Sequence, residues 1–272
     1  MTDHFPYIHG FSKKEQDHLR AHARWEEGLV YRNIDLSESQ HIIEVGSGVG
    51  AQTEILLRRF PELTINCIDL SEKQILEAKR FLGTMPHLKD RYKIQKMNAE
   101  NINFKSKTFD GAFLCWVLEH VPDPLKVLGE VRRVLKPGAK IYITEVMNHS
   151  FFLEPYSAHL WKYWMAYNDY QYDNAGDPFV GAKLGNYLMQ AGYTKIETKV
   201  LTWHLDNRHP DKRLEVIELW NDMLVSASAA LLEAKLVDED LVKSAMRELL
   251  QIRNDPNAVF LYSFMQAKAR VD

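Results

Sequence analysis

The chain has 272 residues, of which 46% are hydrophobic and 26% charged, as is typical of a globular protein with a substantial core. Its formal net charge of −3 argues against a nucleic-acid partner. It has two cysteines, no basic and apolar leader at its start, and no apolar run long enough to cross a bilayer. We therefore expect a cytoplasmic protein with no disulfide framework and no membrane partner.

Residues 1–35 predict an N-terminal arm that contains one helix, over residues 13–33. Ser12 has a side chain of the type that caps helix N-termini. An aromatic, turn-rich segment that includes Tyr7 precedes the helix. The simplest interpretation is a helix that packs on the domain that follows.

The stretch His41–Gly50 joins a β-branched run to three glycines that alternate with small residues. This order predicts a buried parallel strand, a tight turn and the start of a helix over residues 51–60. Glycines let a ligand approach the backbone closely, and a helix N-terminus adds free N–H groups. The stretch therefore predicts a cofactor-binding loop, although Gly46-x-Gly48-x-x-Ala51 alone also fits a dinucleotide fingerprint.

Two carboxylates accompany this loop. Glu44 comes two residues before Gly46, at the expected mouth of the cleft, where a carboxylate repels a pyrophosphate but can hold an ammonium group. Asp69 ends a second predicted strand, over residues 64–68, and a carboxylate there can accept both hydroxyls of a ribose. Partners for a ribose and an ammonium group, without a partner for phosphate, favour S-adenosylmethionine over NAD.

Strands and helices continue to alternate after Asp69. A capping box of Ser71 and Gln74 opens the next helix, and Asp123 followed by Pro124 opens another. Further strands are predicted over residues 92–97, 111–115 and 140–146. This alternation predicts an α/β protein with a doubly wound, mostly parallel sheet that is covered by helices on both faces. Ligands of such sheets bind outside the carboxyl ends of the strands.

Five ordered motifs in residues 36–147 resemble those of the class I S-adenosylmethionine-dependent methyltransferases, and most of all their small-molecule, type 11 or UbiE-like branch. The motifs are Ile42–Gly50, Cys67–Ser71, Asn98–Glu100, Phe109–Pro124 and Leu135–Ala139. The resemblance implies a single Rossmann-like domain over residues 1–272, with a seven-stranded sheet. It also implies a cofactor-binding core at residues 36–147 and an antiparallel last edge strand at residues 258–268.

The resemblance assigns roles to residues at the carboxyl ends of the strands. The glycine loop and Glu44 would hold the amino-acid end of the cofactor, Asp69 the ribose, and Asn98 with Ala99 the adenine. Asn98 replaces an acidic residue that is usual in the family, but its amide oxygen can still accept a hydrogen bond, and Glu100 is an alternative. The complete set of predicted cofactor contacts is Glu44, Gly46, Ser47, Gly48, Gly50, Asp69, Leu70, Gln74, Asn98, Ala99, Glu100 and Trp116. The alternative role for Gln74 is its part in the capping box with Ser71.

Two insertions follow the core. Residues 148–178 are rich in aromatic side chains at helical spacing, for which core packing is the simplest explanation. Because they follow the fifth strand, we expect them to form a lid over the substrate. Residues 210–254 predict a helical insertion between the last two strands, with Asp238 as a helix cap. The candidate substrate contacts are Tyr7, Tyr156, Trp164 and Trp203.

Methyl transfer from a sulfonium is an in-line displacement in which the protein chiefly aligns the two reactants. An oxygen or carbon nucleophile needs a base, for which the candidates are His149, His159, His204 and His120, each with a structural role as the alternative. No metal-ligand spacing occurs, so no metal is expected. We expect a monomer or homodimer that methylates O, N or C of a small molecule and releases S-adenosylhomocysteine. A cofactor-binding regulatory relative without turnover and an NAD-dependent oxidoreductase are the alternatives.

Overall fold

The computed structural model describes residues 8, 10 and 12–272, so the predicted contact at Tyr7 lies outside the described residues. In this part the chain forms eight α-helices and eight strands. The helices are α1 (Lys13–Val30), α2 (Ala51–Arg59), α3 (Glu72–Gly83), α4 (Pro124–Val134), α5 (Ala158–Asp173), α6 (Leu184–Gln190), α7 (Pro210–Glu233) and α8 (Glu239–Asn254). The strands are β1 (His41–Val45), β2 (Thr64–Asp69), β3 (Tyr92–Lys96), β4 (Phe109–Cys115), β5 (Leu135–Val146), β6 (Phe152–Glu154), β7 (Thr194–Leu205) and β8 (Val259–Arg270).

All described strands belong to one sheet, in which β3-β2-β1-β4-β5-β8 follow in this order and β6 and β7 both pair with β8. Strands β1 to β5 are parallel, whereas β8 runs antiparallel to β5. Ile143 and Thr198 both pair with Ala267, so β5 and β7 flank β8 on opposite sides. The predicted mostly parallel sheet is confirmed. The predicted number of seven strands is wrong, because the sheet of the described residues has eight, among them the short, unpredicted strand β6, which pairs with β8.

Side-chain caps fix the helix starts that the sequence predicts. The side chains of Ser12, Ser71, Asp123 and Asp238 each accept a hydrogen bond from a backbone N–H in the first turn of the following helix. In a capping box the Ser71 N–H would donate to the Gln74 side chain. Here the Ser71 N–H donates to Asp69 Oδ1 instead, at 2.8 Å. The Gln74 side chain instead accepts from Gln16 Nε2 at 3.3 Å, which joins α3 to α1.

Helices cover both faces of the sheet, as predicted. The buried side chains divide into two clusters, with Ile42 in one and its strand neighbours Ile43 and Val45 in the other. The cluster that contains Ile42 includes residues of α1, α2, α3, α5, α7 and α8, and the other includes residues of α4 and α6. The face of the sheet that contains Ile42 is therefore covered by more helices than the other face. No described helix has the length and apolar character that a membrane crossing requires.

Candidate functional site

The glycine turn after β1 has a left-handed backbone at three positions. Gly46, Gly48 and Gly50 have φ values of +69°, +50° and +77°, a region that glycine adopts readily and other residues adopt at a cost. A Cβ at Gly46 would lie 2.6 Å from Val117 Cγ2, whereas a Cβ at Gly48 would meet no atom of the described residues within 4 Å. The Gly46 N–H also donates to the Ile68 carbonyl at 2.8 Å, which holds the turn against the end of β2.

Asp69 is fixed beside this turn by two backbone donors. Its Oδ2 accepts from the Gly48 N–H and its Oδ1 from the Ser71 N–H, both at 2.8 Å. Burial raises the pKa of the Asp69 carboxyl, and the N–H donors of Ser71 and Gly48 oppose that rise. Each carboxylate oxygen keeps a further lone pair, so the group can accept two hydroxyls.

A cavity of about 830 Å³ opens at the carboxyl ends of the strands. This volume lies toward the upper end of the range of roughly 300–1,000 Å³ for small-molecule sites, so it suits a cofactor together with an acceptor. The predicted cofactor contacts that line it are Gly46, Ser47, Gly48, Asp69, Leu70, Gln74, Asn98, Ala99, Glu100 and Trp116. Residues from four different strand ends and their loops thus meet on one wall.

Asn98 and Glu100 already have partners within the protein. The Asn98 Oδ1 accepts from the Glu100 N–H at 2.8 Å, which closes a local turn, and the Glu100 carboxylate lies 3.3 Å from Lys126 Nζ. The Asn98 amide oxygen keeps one lone pair for a ligand, and its NH₂ group can donate.

The structure contradicts the expected position of Glu44 at the mouth of the cleft. Glu44 is 2% exposed, and among the described residues it does not belong to the cavity wall. Its Oε2 accepts from Thr53 Oγ1 at 2.6 Å, and burial raises the pKa of the carboxyl to about 7. Strand pleating turns this side chain toward α2, because alternate residues of β1 face opposite sides of the sheet.

Gly50 is also absent from the cavity wall, as far as the described residues show. It caps the N-terminus of α2, and a Cβ there would lie 3.1 Å from Leu82 Cδ1. Its role is therefore the close packing of α2 against α3.

Trp116 follows β4 directly and has a left-handed backbone, with φ of +58°. This conformation is uncommon for a bulky residue and occurs where the surroundings impose it. The Trp116 N–H donates to the Thr144 carbonyl at 3.0 Å, and its indole packs edge-on against Phe264. The indole Nε1 donates to Glu26 Oε1 at 2.9 Å, which ties the end of β4 to helix α1.

Helix α1 supplies a wall of the cavity that sequence reasoning missed. Its cavity-lining residues are Glu15, His18, Leu19, His22, Ala23 and Glu26. They recur every three or four positions, so they share one face, and the spacing of His18, His22 and Glu26 is a signal that the sequence contained. Burial lowers the pKa of both histidines to about 4, which makes them neutral near pH 7.

Trp164, Tyr167, Trp203, Trp220 and Tyr262 form what we call the aromatic wall of the cavity. Ring pairs join its members: the Trp164–Tyr167 centroids are 5.2 Å apart and the Trp220–Tyr262 centroids 4.8 Å. Trp164 and Trp203 were predicted as substrate contacts, and the other three were not.

Tyr156, another predicted substrate contact, is exposed to solvent. It is 70% exposed and does not line the cavity among the described residues. It precedes α5, so the helical spacing that grouped it with Trp164 does not apply to it.

Of the four candidate bases, the structure brings His120 to the cavity wall, where its Nε2 lies 3.6 Å from Glu119 Oε1. The other three lie away from the wall in the part of the chain that is described. His149 packs against Phe179, His159 Nδ1 lies 2.6 Å from Glu248 Oε1, and His204 is exposed on β7. The geometry thus contradicts a role for these three as the base.

The described residues contain no group of three or more His, Cys, Asp or Glu side chains that could hold a metal ion. Cys67 and Cys115 are buried thiols without a disulfide.

Residues 43–143 match a family model described as "Methyltransferase domain". The chain is similar to the methyltransferase phqN of Penicillium fellutanum, with 31% identity over 46% of this chain and 37% of that protein. It is also similar to the demethylmenaquinone methyltransferase of Symbiobacterium thermophilum, with 31% identity over 39% of this chain and 42% of that protein. The chain spans less than half the length of these two curated relatives.

The chain is also similar to a solved structure of phosphoethanolamine N-methyltransferase 2 from Haemonchus contortus, in complex with phosphomonomethylethanolamine and S-adenosylhomocysteine. The TM-score is 0.56 at 17% identity, over 91% of this chain and 53% of that chain. At this identity the likeness shows a shared fold.

Proposed function

We propose that the chain is an S-adenosylmethionine-dependent methyltransferase with a small organic acceptor, because residues 43–143 match a family model described as "Methyltransferase domain". The observation that carries this proposal is the composition of the cavity wall. Its lining includes the glycine turn, Asp69, Trp116 and the aromatic wall. A nucleoside cofactor and an apolar acceptor can therefore meet within one cavity.

The residues of the cavity fit the proposed cofactor. Asp69 presents an acceptor for the ribose hydroxyls, and the open space above Gly48 lets a ligand approach the backbone. The Ser47 hydroxyl oxygen is buried and has no hydrogen-bond partner among the described residues, so it is available to a ligand. Asn98 and Ala99 would face the adenine, and Glu100 adds a carboxylate at that end of the cavity.

Bound S-adenosylmethionine would supply an activated methyl group on its sulfonium. The protein's part is alignment and the exclusion of water, which the aromatic wall and α1 provide by enclosing the acceptor beside Trp116. Neutral imidazoles of His18 and His22 lie on the same wall and can accept a hydrogen bond from an acceptor hydroxyl.

The charges around the cavity disfavour an anionic acceptor. Among the described residues that line it, the lysines are Lys73 and Lys96, which belong to the segments around Asp69 and Asn98, and no arginine occurs. Glu15 and Glu119 lie on the cavity wall with the aromatic residues. A phosphate or carboxylate would meet repulsion there without a cation to pair with it. The name of the Symbiobacterium relative, a demethylmenaquinone methyltransferase, agrees with an apolar acceptor.

A transfer assay with methyl-labelled S-adenosylmethionine tests this proposal. The panel pairs uncharged phenols and quinols with their phosphorylated counterparts. We expect label to pass to uncharged members and not to the phosphorylated ones. Transfer to the phosphorylated members alone would contradict the proposed acceptor class. Binding of the cofactor without transfer to any member would contradict the proposed activity and favour a regulatory protein.

A further inference from the structure

Glu26 combines deep burial with an unused acceptor atom. It is 1% exposed, and it lies on the face of α1 that lines the cavity. Its Oε1 accepts from Trp116 Nε1 at 2.9 Å and from Gln52 Nε2 at 3.1 Å. Its Oε2 is also buried and has no hydrogen-bond partner among the described residues. A buried carboxylate oxygen in this state is costly unless a ligand provides a donor.

The neighbouring imidazole of His22 does not supply the missing charge. His22 Nε2 lies 3.6 Å from Glu26 Oε2, beyond hydrogen-bond distance. Burial lowers the pKa of His22 to about 4, so the imidazole is neutral near pH 7. Burial raises the pKa of the Glu26 carboxyl to about 7, so the group is partly ionised near pH 7, and a cation bound beside Oε2 would favour its charged form.

The position of Glu26 indicates which part of a ligand would meet it. The two side chains that donate to Glu26 are Gln52, in the first turn of α2 after the glycine turn, and Trp116, directly after β4. Ser47, whose hydroxyl is also unused among the described residues, lies on the glycine turn. Through Gln52, Glu26 is joined to the helix that follows the glycine turn, which is where the amino-acid end of the cofactor is expected.

We infer that Glu26, rather than Glu44, holds the α-ammonium group of S-adenosylmethionine, an inference that rests on the proposed function. The carboxylate would accept a charge-assisted hydrogen bond through Oε2 while Trp116 and Gln52 fix Oε1. Helix α1 is then part of the cofactor site, and cofactor binding stabilises its contact with the sheet.

The test measures affinities by calorimetry for three ligands. S-Adenosylhomocysteine carries the ammonium group, its deaminated analogue lacks only that group, and 5′-methylthioadenosine lacks the whole amino-acid end. Glu26→Gln keeps an oxygen for Trp116 and Gln52 but removes the charge. Glu44→Gln is the matched control, because it removes a buried acid outside the cavity wall.

We expect Glu26→Gln to weaken binding of S-adenosylhomocysteine by about 10- to 100-fold. Affinities for the two ligands without the ammonium group should stay within about twofold of wild type, and Glu44→Gln should change none of the three. If Glu26→Gln does not fold, Glu26→Asp serves as the second variant, because it shortens the side chain by one methylene and draws the carboxylate back. It should also lose affinity for S-adenosylhomocysteine alone, but by a smaller factor.

Two results would overturn the inference: unchanged affinity of the Glu26 variants for S-adenosylhomocysteine, or a loss of equal size for all three ligands. A selective loss in Glu44→Gln would assign the ammonium group to Glu44 instead. Failure of the wild-type protein to bind S-adenosylhomocysteine at all would contradict the proposed function itself, so the two failures are distinguishable.

Discussion

Two glycines of the same turn should respond differently to one added methyl group. In Gly46→Ala the new Cβ meets Val117 at 2.6 Å, and φ is +69°. A left-handed alanine costs roughly 1–2 kcal/mol and overpacking typically 1–3 kcal/mol, so the free energy of unfolding should fall by about 2–5 kcal/mol. In Gly48→Ala only the first cost applies, because the methyl group enters the open cavity.

Urea denaturation and calorimetry with S-adenosylhomocysteine separate the two effects. We expect Gly48→Ala to lose about 1–2 kcal/mol of stability but at least tenfold in affinity, because its methyl group occupies the space of the ligand. Gly46→Ala should lose more stability than Gly48→Ala. Wild-type affinity in Gly48→Ala would refute the placement of the cofactor on this turn, and equal stabilities would refute the packing of Gly46 against Val117.

Three further predictions follow from the site. Asp69→Asn should weaken S-adenosylhomocysteine binding about tenfold by calorimetry, because the ribose hydroxyls lose a charged acceptor. Unchanged affinity would exclude Asp69 as the partner of the ribose. Burial raises the pKa of Glu44 from 4.5 to about 7, so the stability it contributes is complete below pH 4.5 and is lost as pH rises through 7. Urea denaturation at pH 5 and pH 8 should therefore show the wild type losing up to about 3 kcal/mol more than Glu44→Gln, and parallel losses would contradict this. Trp164→Phe should raise the KM for an apolar acceptor about tenfold in transfer assays and leave cofactor affinity unchanged, whereas a loss of cofactor affinity alone would contradict its place on the acceptor side.

The sequence was sufficient for features that depend on neighbouring residues. The caps at Ser12 and Asp238 and the glycine turn are local patterns, and each appears where it was expected. The parallel sheet followed from the alternation of strands and helices. The placement of Asp69 beside Gly48 followed from the rule that strand ends meet at one edge.

Features that depend on tertiary packing were missed or misplaced. Glu44 was assigned to the cleft from its distance along the chain to Gly46, but the pleat of β1 turns it toward Thr53. Glu26 lies 90 residues from Trp116, so their hydrogen bond follows only from the docking of α1 on the sheet. Histidines that looked equivalent in the sequence differ because the fold brings His120 to the cavity and leaves His204 in solvent.

The most direct test of the central claim is a calorimetric titration of the purified chain with S-adenosylhomocysteine and, separately, with NADH. The glycine turn, Asp69 and the cavity they share predict saturable binding of the first ligand and no heat with the second. Saturable binding of NADH together with no response to S-adenosylhomocysteine would contradict the account.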